Sequence, residues 1–549
     1  MKQKFLAVLL LASLTGCATL PVSGPVRIGP DLAPPSDSNS FYYSPATPAD
    51  GASETEILAG FLAAGTAPQN DYAIAREYLS ESIRATWNPN QELLIEKSTP
   101  KVTLTESGIA FVEVEVTARV DANGRYETLP AGSTRTLEYT FIEQAGQIRL
   151  SSAPDVTIVI RPVFDVVFRS YSVYFLDHAK AALVPELRWF PANPATGTKL
   201  VNALLAGPSE WLKPAVVSAI PTGTVLSLDA VTVQQEVALV DLSARALVAS
   251  LSDRSLMKAQ LVATLSQLPT ITEVAISIER SAQDIPDSEL EVSSGASGTL
   301  VALGEDGLNA VSGATADVIP AGLSFFSSRT VTNLALSASA SKIAASTSTG
   351  VFETALDNPG KAVDLLDART NLSAVQYDPL GKLWLVSGSQ VSVDSKPLSA
   401  SWLGGQSITA FALSPEGSRA ALIVDRGATN QVLLTSVIRN QAGTPIELAS
   451  PIVLAAELSN PTLVSWFDQV TLSILTSQSD STNVALVEIG GGTRLVQGLA
   501  DARSLVALGD GSAMFILKDT GELFTFRGSF WASIASSVSA RVWKLTMLP

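Results

Sequence analysis

Leu204-Leu205-Ala206-Gly207-Pro208 ends a predicted helix that begins near Thr198 and places Leu200 and Ala203 on one apolar side. The glycine supplies the positive φ angle on which helices commonly end, and the proline after it prevents another helical turn. Residues 220–224 read Ile-Pro-Thr-Gly-Thr, which indicates a turn before the next strand. The stretch therefore predicts the order helix, turn and strand.

The alternation continues further along the chain. Val240-Asp241-Leu242-Ser243 ends one predicted strand, and Val274–Ile278 forms another. Between these strands lies a long helical pattern that passes through Leu256 and Leu265. Because helices and strands alternate, residues 162–285 predict an α/β domain.

Four of these segments together resemble the GerMN domain of sporulation and germination proteins. They are Leu-Leu-Ala-Gly-Pro at 204–208, Ile-Pro-x-Gly-Thr at 220–224, Val-Asp-Leu-Ser at 240–243 and Gln-Leu-Val-Ala-Thr-Leu at 260–265. One departure is Glu279-Arg280-Ser281, because that module often closes its last strand with an Asp-Gly type of turn. The resemblance implies the GerMN fold and leaves the conformation of this final turn open.

Residues 52–161 predict an α+β domain. Ser53 and Glu56 have the spacing of a capping box at the start of one helix. A second helix is predicted from Asn70-Asp71 to the residue before Trp87. Strict alternation then predicts antiparallel strands over Ile109–Val120 and Thr134–Ile142. This order of elements resembles the cone-shaped fold of nuclear transport factor 2.

Residues 286–549 predict an all-β propeller. Strands rich in Val, Leu, Ala and Ser alternate with turn clusters at a period of about 40 residues, and a four-stranded blade cannot bury its faces alone. We expect about six blades, with Arg541–Leu548 completing the blade that begins near Leu300. The turn clusters lie at 304–307, 337–340, 378–381, 414–417, 466–468 and 509–511.

The first residues have the parts of a bacterial export signal. Lys2 and Lys4 precede an apolar run that is shorter than the about 20 residues of a membrane-spanning helix. Leu14-Thr15-Gly16-Cys17 then resembles a lipobox. The resemblance implies cleavage between Gly16 and Cys17 and a diacylglycerol thioether on Cys17, and it allows an N-acyl chain such as palmitate to be added afterwards. The alternative is an ordinary secretory signal that happens to carry a cysteine.

This reading divides the start of the chain into two parts. Residues 1–16 are the expected signal peptide, and residues 17–51 form a lipidated tether, flexible because it is crowded with Pro, Gly, Ser and Asp. Two or more acyl chains hold a soluble body at a membrane surface. We therefore expect the protein to be lipid-anchored at the extracytoplasmic face of the cell membrane.

Composition excludes several functions. The chain has 36 basic and 52 acidic residues and a formal charge of −16. Because nucleic acid is a polyanion, we expect no binding to it. Cys17 is the only cysteine, so with Cys17 lipidated there is no disulfide, thiolate metal site or cysteine nucleophile. His178 is the only histidine, and we interpret it as a solvated loop residue. No nucleophile elbow precedes a helix, and we expect no metal, no cofactor and no catalytic residue.

Four residues remain as candidate contacts. Glu186 lies in the GerMN-like region, and Asp241 stands at a strand end where its carboxylate can bind backbone N–H groups. For both, fixing of turns and register is the preferred interpretation over ligand binding. Trp402 and Trp531 are candidate exposed contacts for a protein or a sugar ring, whereas Trp384 is expected in the core.

Taken in order, the lipobox, the α+β domain, the GerMN-like domain and the propeller resemble the LpqB family of actinobacterial cell-surface lipoproteins. The resemblance implies a non-enzymatic accessory protein for a sensor histidine kinase of the MtrAB two-component system, with effects on the cell envelope and division. Two alternatives stay open. One is a cell-wall glycan-binding or wall-processing protein with a carboxylate site, and the other is a purely structural assembly scaffold.

Overall fold

The computed structural model describes most of the chain from Pro45 onward. The signal peptide, Cys17 and most of the tether lie outside this part, so the predictions made for them stay predictions. No helix within the described ranges is long and apolar enough to cross a membrane. The described residues are 45–292, 300–304, 307–312, 315–318, 329–339, 341–356, 363–440, 442–478, 481–534 and 544–547.

The N-terminal domain packs three helices against a seven-stranded sheet. Its helices are α1 (Glu54–Ala64), α2 (Ala73–Glu77) and α3 (Glu81–Arg84). Its strands are β1 (Glu92–Glu96), β2 (Lys101–Leu104), β3 (Ile109–Asp121), β4 (Tyr126–Thr128), β5 (Thr134–Gln144), β6 (Gln147–Ser152) and β7 (Val156–Ile160). The order is β6-β5-β3-β1-β7, and β2 and β4 also pair with β3. The predicted capping box is present at α1, where the Ser53 hydroxyl accepts from Glu56 N–H and the Glu56 carboxylate accepts from Ser53 N–H at 2.8 Å.

The prediction of one continuous second helix is wrong. The segment forms two short helices, α2 and α3, separated by residues 78–80. Leu79 forms a β-bridge with Leu150 in β6, and the N–H of Ser80 donates to the Leu150 carbonyl at 2.8 Å. The apolar spacing does place Tyr78 and Leu79 in the core. However, the Tyr78 carbonyl accepts from Leu150 N–H and the Ser80 N–H donates to the Leu150 carbonyl, so this pairing with β6 ends α2.

The GerMN-like domain follows directly from the short helix α4 (Arg161–Val167). It holds two sheets, β10-β8-β9 and β11-β12-β13-β14, with the two predicted helices packed in the same core. Its elements are β8 (Phe168–Asp177), β9 (Leu183–Pro191), α5 (Thr196–Ala206), β10 (Val216–Val217), β11 (Thr232–Gln234), β12 (Val237–Leu242), α6 (Leu251–Leu265), β13 (Glu273–Ile278) and β14 (Ser281–Ala282). Strands β12 and β13 are parallel and α6 lies between them in the chain, so the α/β prediction is confirmed.

Two of the predicted motifs have clear structural roles in this domain. Gly207 ends α5 with a φ of 85°. Gln260 on α6 is fully buried; its side chain donates to the Tyr174 carbonyl and accepts from Ala219 N–H, both at 2.8 Å. The motif thereby ties α6 to β8, because each half of the buried amide finds a backbone partner.

The final turn of this domain is built without glycine. Glu279 and Arg280 connect β13 to β14 with φ angles of 49° and 66°, a region that costs most L-residues about 1–2 kcal/mol each. Asp241 at the end of β12 offsets this strain, since its Oδ1 accepts the N–H of Arg280 at 2.9 Å and also binds the Ser277 hydroxyl.

The remaining chain forms a propeller of six blades, each a separate antiparallel sheet in the described part of the structure. Its first three blades contain β15 (Leu300–Gly304), β16 (Gly307–Ser312), β17 (Thr315–Val318), β18 (Val331–Leu336), β19 (Lys342–Thr347), β20 (Gly350–Ala355), β21 (Asp364–Asp367), β22 (Ala374–Tyr377), β23 (Leu383–Ser387), β24 (Gln390–Val393) and β25 (Lys396–Pro397). The other three contain β26 (Ile408–Leu413), β27 (Arg419–Asp425), β28 (Asn430–Arg439), β29 (Pro445–Leu448), β30 (Ile452–Leu454), β31 (Pro461–Trp466), β32 (Thr471–Gln478), β33 (Ser481–Glu488), β34 (Thr493–Gln497), β35 (Ala502–Ala507), β36 (Met514–Lys518), β37 (Leu523–Phe526) and β38 (Trp531–Ser533).

The last strand, β39 (Lys544–Met547), closes the ring. It pairs with β15 in the register Leu300 to Met547, as predicted for the blade that begins near Leu300. Strands β39, β18, β22, β26, β31 and β35 each contact the next one around the ring. The multidomain fold class and the blade number are confirmed, and the likeness of the N-terminal domain to nuclear transport factor 2 stays a prediction.

Candidate functional site

A cleft of about 1090 Å³ opens where the N-terminal domain, α4, the GerMN-like domain and blade 5 (β31–β34) meet. We call it the three-domain cleft. Its volume slightly exceeds the roughly 300–1,000 Å³ found for small-molecule pockets. The cleft is therefore large enough to accept a segment of another macromolecule. Its walls include Glu96, Tyr126, Arg161, Trp189, Glu488 and Leu495.

Trp189 at the end of β9 lies at the centre of this junction. Its indole N–H donates to the carbonyl oxygen of Gly490 in blade 5 at 2.7 Å. Its ring packs against Phe164 of α4, with centroids 4.8 Å apart, and against Tyr126 of the N-terminal domain at 6.1 Å. One buried side chain thus contacts all the bodies that form the cleft.

Arg161, at the start of α4, also lines the cleft. Its guanidinium binds Asp165 at 2.8 Å and the Tyr126 hydroxyl at 3.1 Å. A side chain on Gly492 would place its Cβ only 2.5 Å from this guanidinium. The glycine in blade 5 therefore permits the close approach of α4 to the propeller.

A second contact between the GerMN-like domain and the propeller is the buried ion pair of Arg419 and Glu416. Arg419 Nε lies 2.7 Å from Glu416 Oε1, and both side chains are at most 2% exposed. The guanidinium also donates to the carbonyl oxygens of Pro185 in β9 and Gln469 in blade 5 and lies 4.7 Å from the centre of the Trp466 ring. The pair therefore joins two blades to the GerMN-like domain.

Two glutamate side chains of the cleft lining, Glu96 and Glu488, have raised pKa values. Burial raises the pKa of Glu96 and of Glu488 above the usual glutamate value, and Asp468 raises that of Glu488 further. Glu96 Oε2 is buried and has no hydrogen-bond partner among the described residues. Two of the cleft cations are paired, Lys97 with Glu115 and Arg161 with Asp165, and the third, Arg494, is outnumbered by the acidic residues of the lining, which also include Glu457 and Asp468. The cleft therefore offers carboxylate acceptors that suit a cationic group.

The two carboxylates singled out from the sequence lie outside this cleft lining and in separate sheets. Glu186 in β9 is buried, pairs with Arg188 at 3.0 Å and accepts the N–H of Ser209 after α5. Asp241 in β12 stabilises the turn at Arg280. Each carboxylate binds a backbone N–H, the arrangement expected for the turn- and register-fixing interpretation. Their role as contacts for a partner stays a prediction.

The two candidate tryptophans are half-buried. Trp402 donates its indole N–H to the Leu448 carbonyl at 2.9 Å, and Trp531 donates to the Gln497 carbonyl at 2.7 Å. Trp384 is fully buried, as expected. His178 lies in the turn between β8 and β9, as expected for a loop residue; it is half-buried, and its Nδ1 is out of solvent and unpartnered within the described chain. No cluster that could hold a metal ion occurs among the described residues.

Sequence reasoning missed the residues that form the cleft. Trp189 follows directly on the segment Leu183–Arg188, and a large aromatic residue continuing this apolar strand was an available signal. Gly490-Gly491-Gly492 was another, since three consecutive glycines within a hairpin indicate close approach of another backbone or side chain. Glu96 and Glu488 are isolated in the sequence, and no local pattern distinguishes them.

Comparison with protein-family models gives three matches in chain order. The model described as "Lipoprotein LpqB, N-terminal domain" matches residues 47–165, "Sporulation and spore germination" matches 172–284, and "Lipoprotein LpqB beta-propeller domain" matches 298–542.

Two relatives and one solved structure are similar to all or part of this chain. Lipoprotein LpqB of Cutibacterium acnes is 26% identical over 96% of this chain and 96% of its own length. Lipoprotein LpqB of Bifidobacterium longum is 27% identical over 86% of this chain and 84% of its own. Among solved structures, the first GerMN domain of GerM from Bacillus subtilis is 21% identical, covers 23% of this chain and 94% of that domain, and has a TM-score of 0.18.

Proposed function

This chain belongs to the LpqB lipoprotein family, and we propose that it is a lipid-anchored, extracytoplasmic binding protein without enzymatic activity. In this proposal the three-domain cleft holds a cation-bearing segment of an envelope protein. The observation that carries it is the joint placement of Glu96 and Glu488 in a cleft of about 1090 Å³. An approaching lysine or arginine side chain lowers the pKa of a buried carboxyl group, because the opposite charge favours the ionised form.

The proposed partner is the extracellular domain of the sensor histidine kinase of the MtrAB system, which the family resemblance implies. The lipid on Cys17 would confine both molecules to one membrane plane. A weak interface then acts at high effective concentration, because the second binding event is no longer a three-dimensional search. Binding alters signalling only if the cleft prefers one conformation of the kinase domain. The cell envelope and division are the processes that such signalling would affect.

A binding measurement with purified proteins tests the role of the cleft. Titration of the mature protein into the kinase extracellular domain should give saturable binding that Glu96→Gln or Glu488→Gln weakens about tenfold each, since a hydrogen bond to a charged group contributes about 1.5–3 kcal/mol. Glu138→Gln is the matched control, because it removes an exposed glutamate of β5 outside the cleft lining. Equal binding by all three variants would contradict the proposal.

The second candidate function is recognition or cleavage of cell-wall glycan. The observation in its favour is that the same cleft combines two acids of raised pKa with the aromatic side chains of Tyr126 and Trp189. A glycosidase needs as its general acid a carboxyl group whose pKa is raised by its surroundings. Release of muropeptides by the pure protein, abolished by Glu96→Gln or Glu488→Gln, would establish this alternative. The absence of product together with kinase binding would favour the first proposal.

A further inference from the structure

A second, smaller cavity lies between the N-terminal domain and the GerMN-like domain, separate from the three-domain cleft. Its volume is about 190 Å³, and Trp189 stands between it and the cleft, since that side chain lines both. The polar groups that face the cavity come from both domains. They are Tyr72, Asn90, Glu92, Asp121, Asn123 and Thr157 on one side and Lys199 and Asn202 on the other.

Lys199 on α5 is the cation of this cavity. Its ammonium group donates to Asn90 Oδ1 at 2.8 Å, and it makes no salt bridge within the described chain. An ammonium group carries three donors, so this neutral acceptor leaves two of them without a partner. Burial lowers the pKa of Lys199, and the charge of Asp71 opposes this only in part.

The acidic residues near Lys199 are held by other groups. Glu92 pairs with Arg135 at 3.2 Å and lies 3.5 Å from Arg119. Asp121 accepts the backbone N–H groups of Asn123 and Arg125 within its own turn. Asp71 pairs with Arg76 and acts on Lys199 only at longer range. A ligand would therefore meet a net positive donor at Lys199.

Thr157 in β7 provides an independent observation. It is 3% exposed, and its hydroxyl group lies near the Tyr72 phenol but makes no well-oriented hydrogen bond in the described part of the chain. The Tyr72 phenol is close by: burial raises its pKa, and the Thr157 hydroxyl opposes that rise. A buried hydroxyl without a well-oriented partner is unfavourable, so such groups normally bind water or a ligand.

We propose that this cavity is a binding site for a small carboxylate, with Lys199 and Thr157 donating to its oxygen atoms. The size supports a small ligand, because pockets for drug-sized molecules measure roughly 300–1,000 Å³. Because the cavity lies between two domains, ligand binding affects how firmly these domains are held together. A ligand that bridges β7 and α5 favours the docked arrangement of the two domains over a separated one, since only the docked arrangement presents both donors.

Saturation-transfer NMR and calorimetry on the full mature chain test the proposal. The probes are sodium acetate, sodium lactate and inorganic phosphate, each added at constant ionic strength maintained with chloride. We expect saturable binding of acetate and lactate, a loss of at least tenfold in affinity for Lys199→Met, and a smaller loss for the isosteric Thr157→Val. Lys213→Met is the matched control and should bind as the unmodified chain does, because Lys213 is exposed and pairs with Glu210.

Three results would overturn the assignment. One is the absence of saturable carboxylate binding, which would mean that water alone fills the cavity. Another is binding that Lys199→Met leaves unchanged while that variant melts like the unmodified chain. The third is binding of phosphate without binding of carboxylates, which would make the ligand class wrong. None of these depends on the kinase-binding measurement, so this site and the proposed function of the cleft can fail separately.

Discussion

The indole nitrogen of Trp189 donates a 2.7 Å hydrogen bond to the carbonyl oxygen of Gly490, which lies 301 residues further along the chain. This bond joins β9 of the GerMN-like domain to the hairpin between β33 and β34. The same side chain lines both the three-domain cleft and the smaller cavity that contains Lys199. The geometry of both candidate sites therefore depends on one contact between domains.

Trp189→Phe tests this dependence. Phenylalanine keeps most of the aromatic packing and removes the N–H donor, so the Gly490 carbonyl loses its partner at a cost of about 1–3 kcal/mol. We expect a lower melting temperature and weaker binding at the cleft. Trp402→Phe is the control, because Trp402 also donates to a carbonyl, that of Leu448, but within the propeller. Equal loss of cleft binding in both variants would contradict a special role for Trp189.

The buried pair of Arg419 and Glu416 should contribute to stability mainly through the cost of breaking it. Arg419→Met leaves the Glu416 carboxylate buried without its partner, which typically destabilises a protein by about 3–5 kcal/mol. Removal of both charges, by Arg419→Met with Glu416→Met, should recover a large part of that loss. Unfolding in denaturant measures both effects. A double variant no more stable than Arg419→Met would be the contrary result.

The raised pKa of Glu488 predicts a pH-dependent effect of its substitution. A carboxyl group whose pKa is higher in the folded than in the unfolded state favours folding when protonated and opposes it when ionised. Its unfavourable contribution therefore appears as the pH rises from the usual glutamate pKa of 4.5 through the raised value. Glu488→Gln should raise the melting temperature at pH 7 and change it little at pH 3.5. A gain of the same size at both pH values would rule out burial of the charge as the cause.

Asp241 should matter for stability and not for binding. Asp241→Asn weakens the bonds to Ser277 and to the N–H of Arg280, and we expect a loss of about 1–3 kcal/mol in the free energy of unfolding. Arg280→Gly should reduce this dependence, because glycine adopts the φ of 66° without strain. Loss of partner binding in Asp241→Asn at an unchanged melting temperature would instead favour a contact role.

Local signals predicted much of the fold. The capping box at Ser53, the Gly207-Pro208 helix stop and the recurring propeller turns each depend on residues close together in the chain. The failed prediction of one helix after Asn70 has a non-local cause, the bridge between Leu79 and Leu150. The cleft could not be predicted for the same reason. Glu96 and Glu488 come together only through the folding of three domains, whereas Glu186 and Asp241 stood out because they lie within recognisable motifs.

The predicted lipid anchor on Cys17 can be tested separately from the two candidate binding sites. Cys17→Ala removes the only sulfur that can carry a diacylglycerol thioether, so we expect an unprocessed or released protein. Membrane fractionation with intact-mass measurement checks this expectation. A variant that is still processed between residues 16 and 17 and fully membrane-bound would exclude the lipobox.

Photocrosslinking in intact cells tests most directly whether the three-domain cleft holds a protein partner. A photoreactive phenylalanine derivative would replace Leu495, which lines the cleft and is 57% exposed, and in a parallel strain Phe530, which is equally exposed at 59% in blade 6. The account predicts that residue 495, and not residue 530, forms a crosslink to the extracellular domain of one sensor kinase, and that Cys17→Ala reduces it. Crosslinks to glycan alone, or equal crosslinks from both positions, would contradict the account.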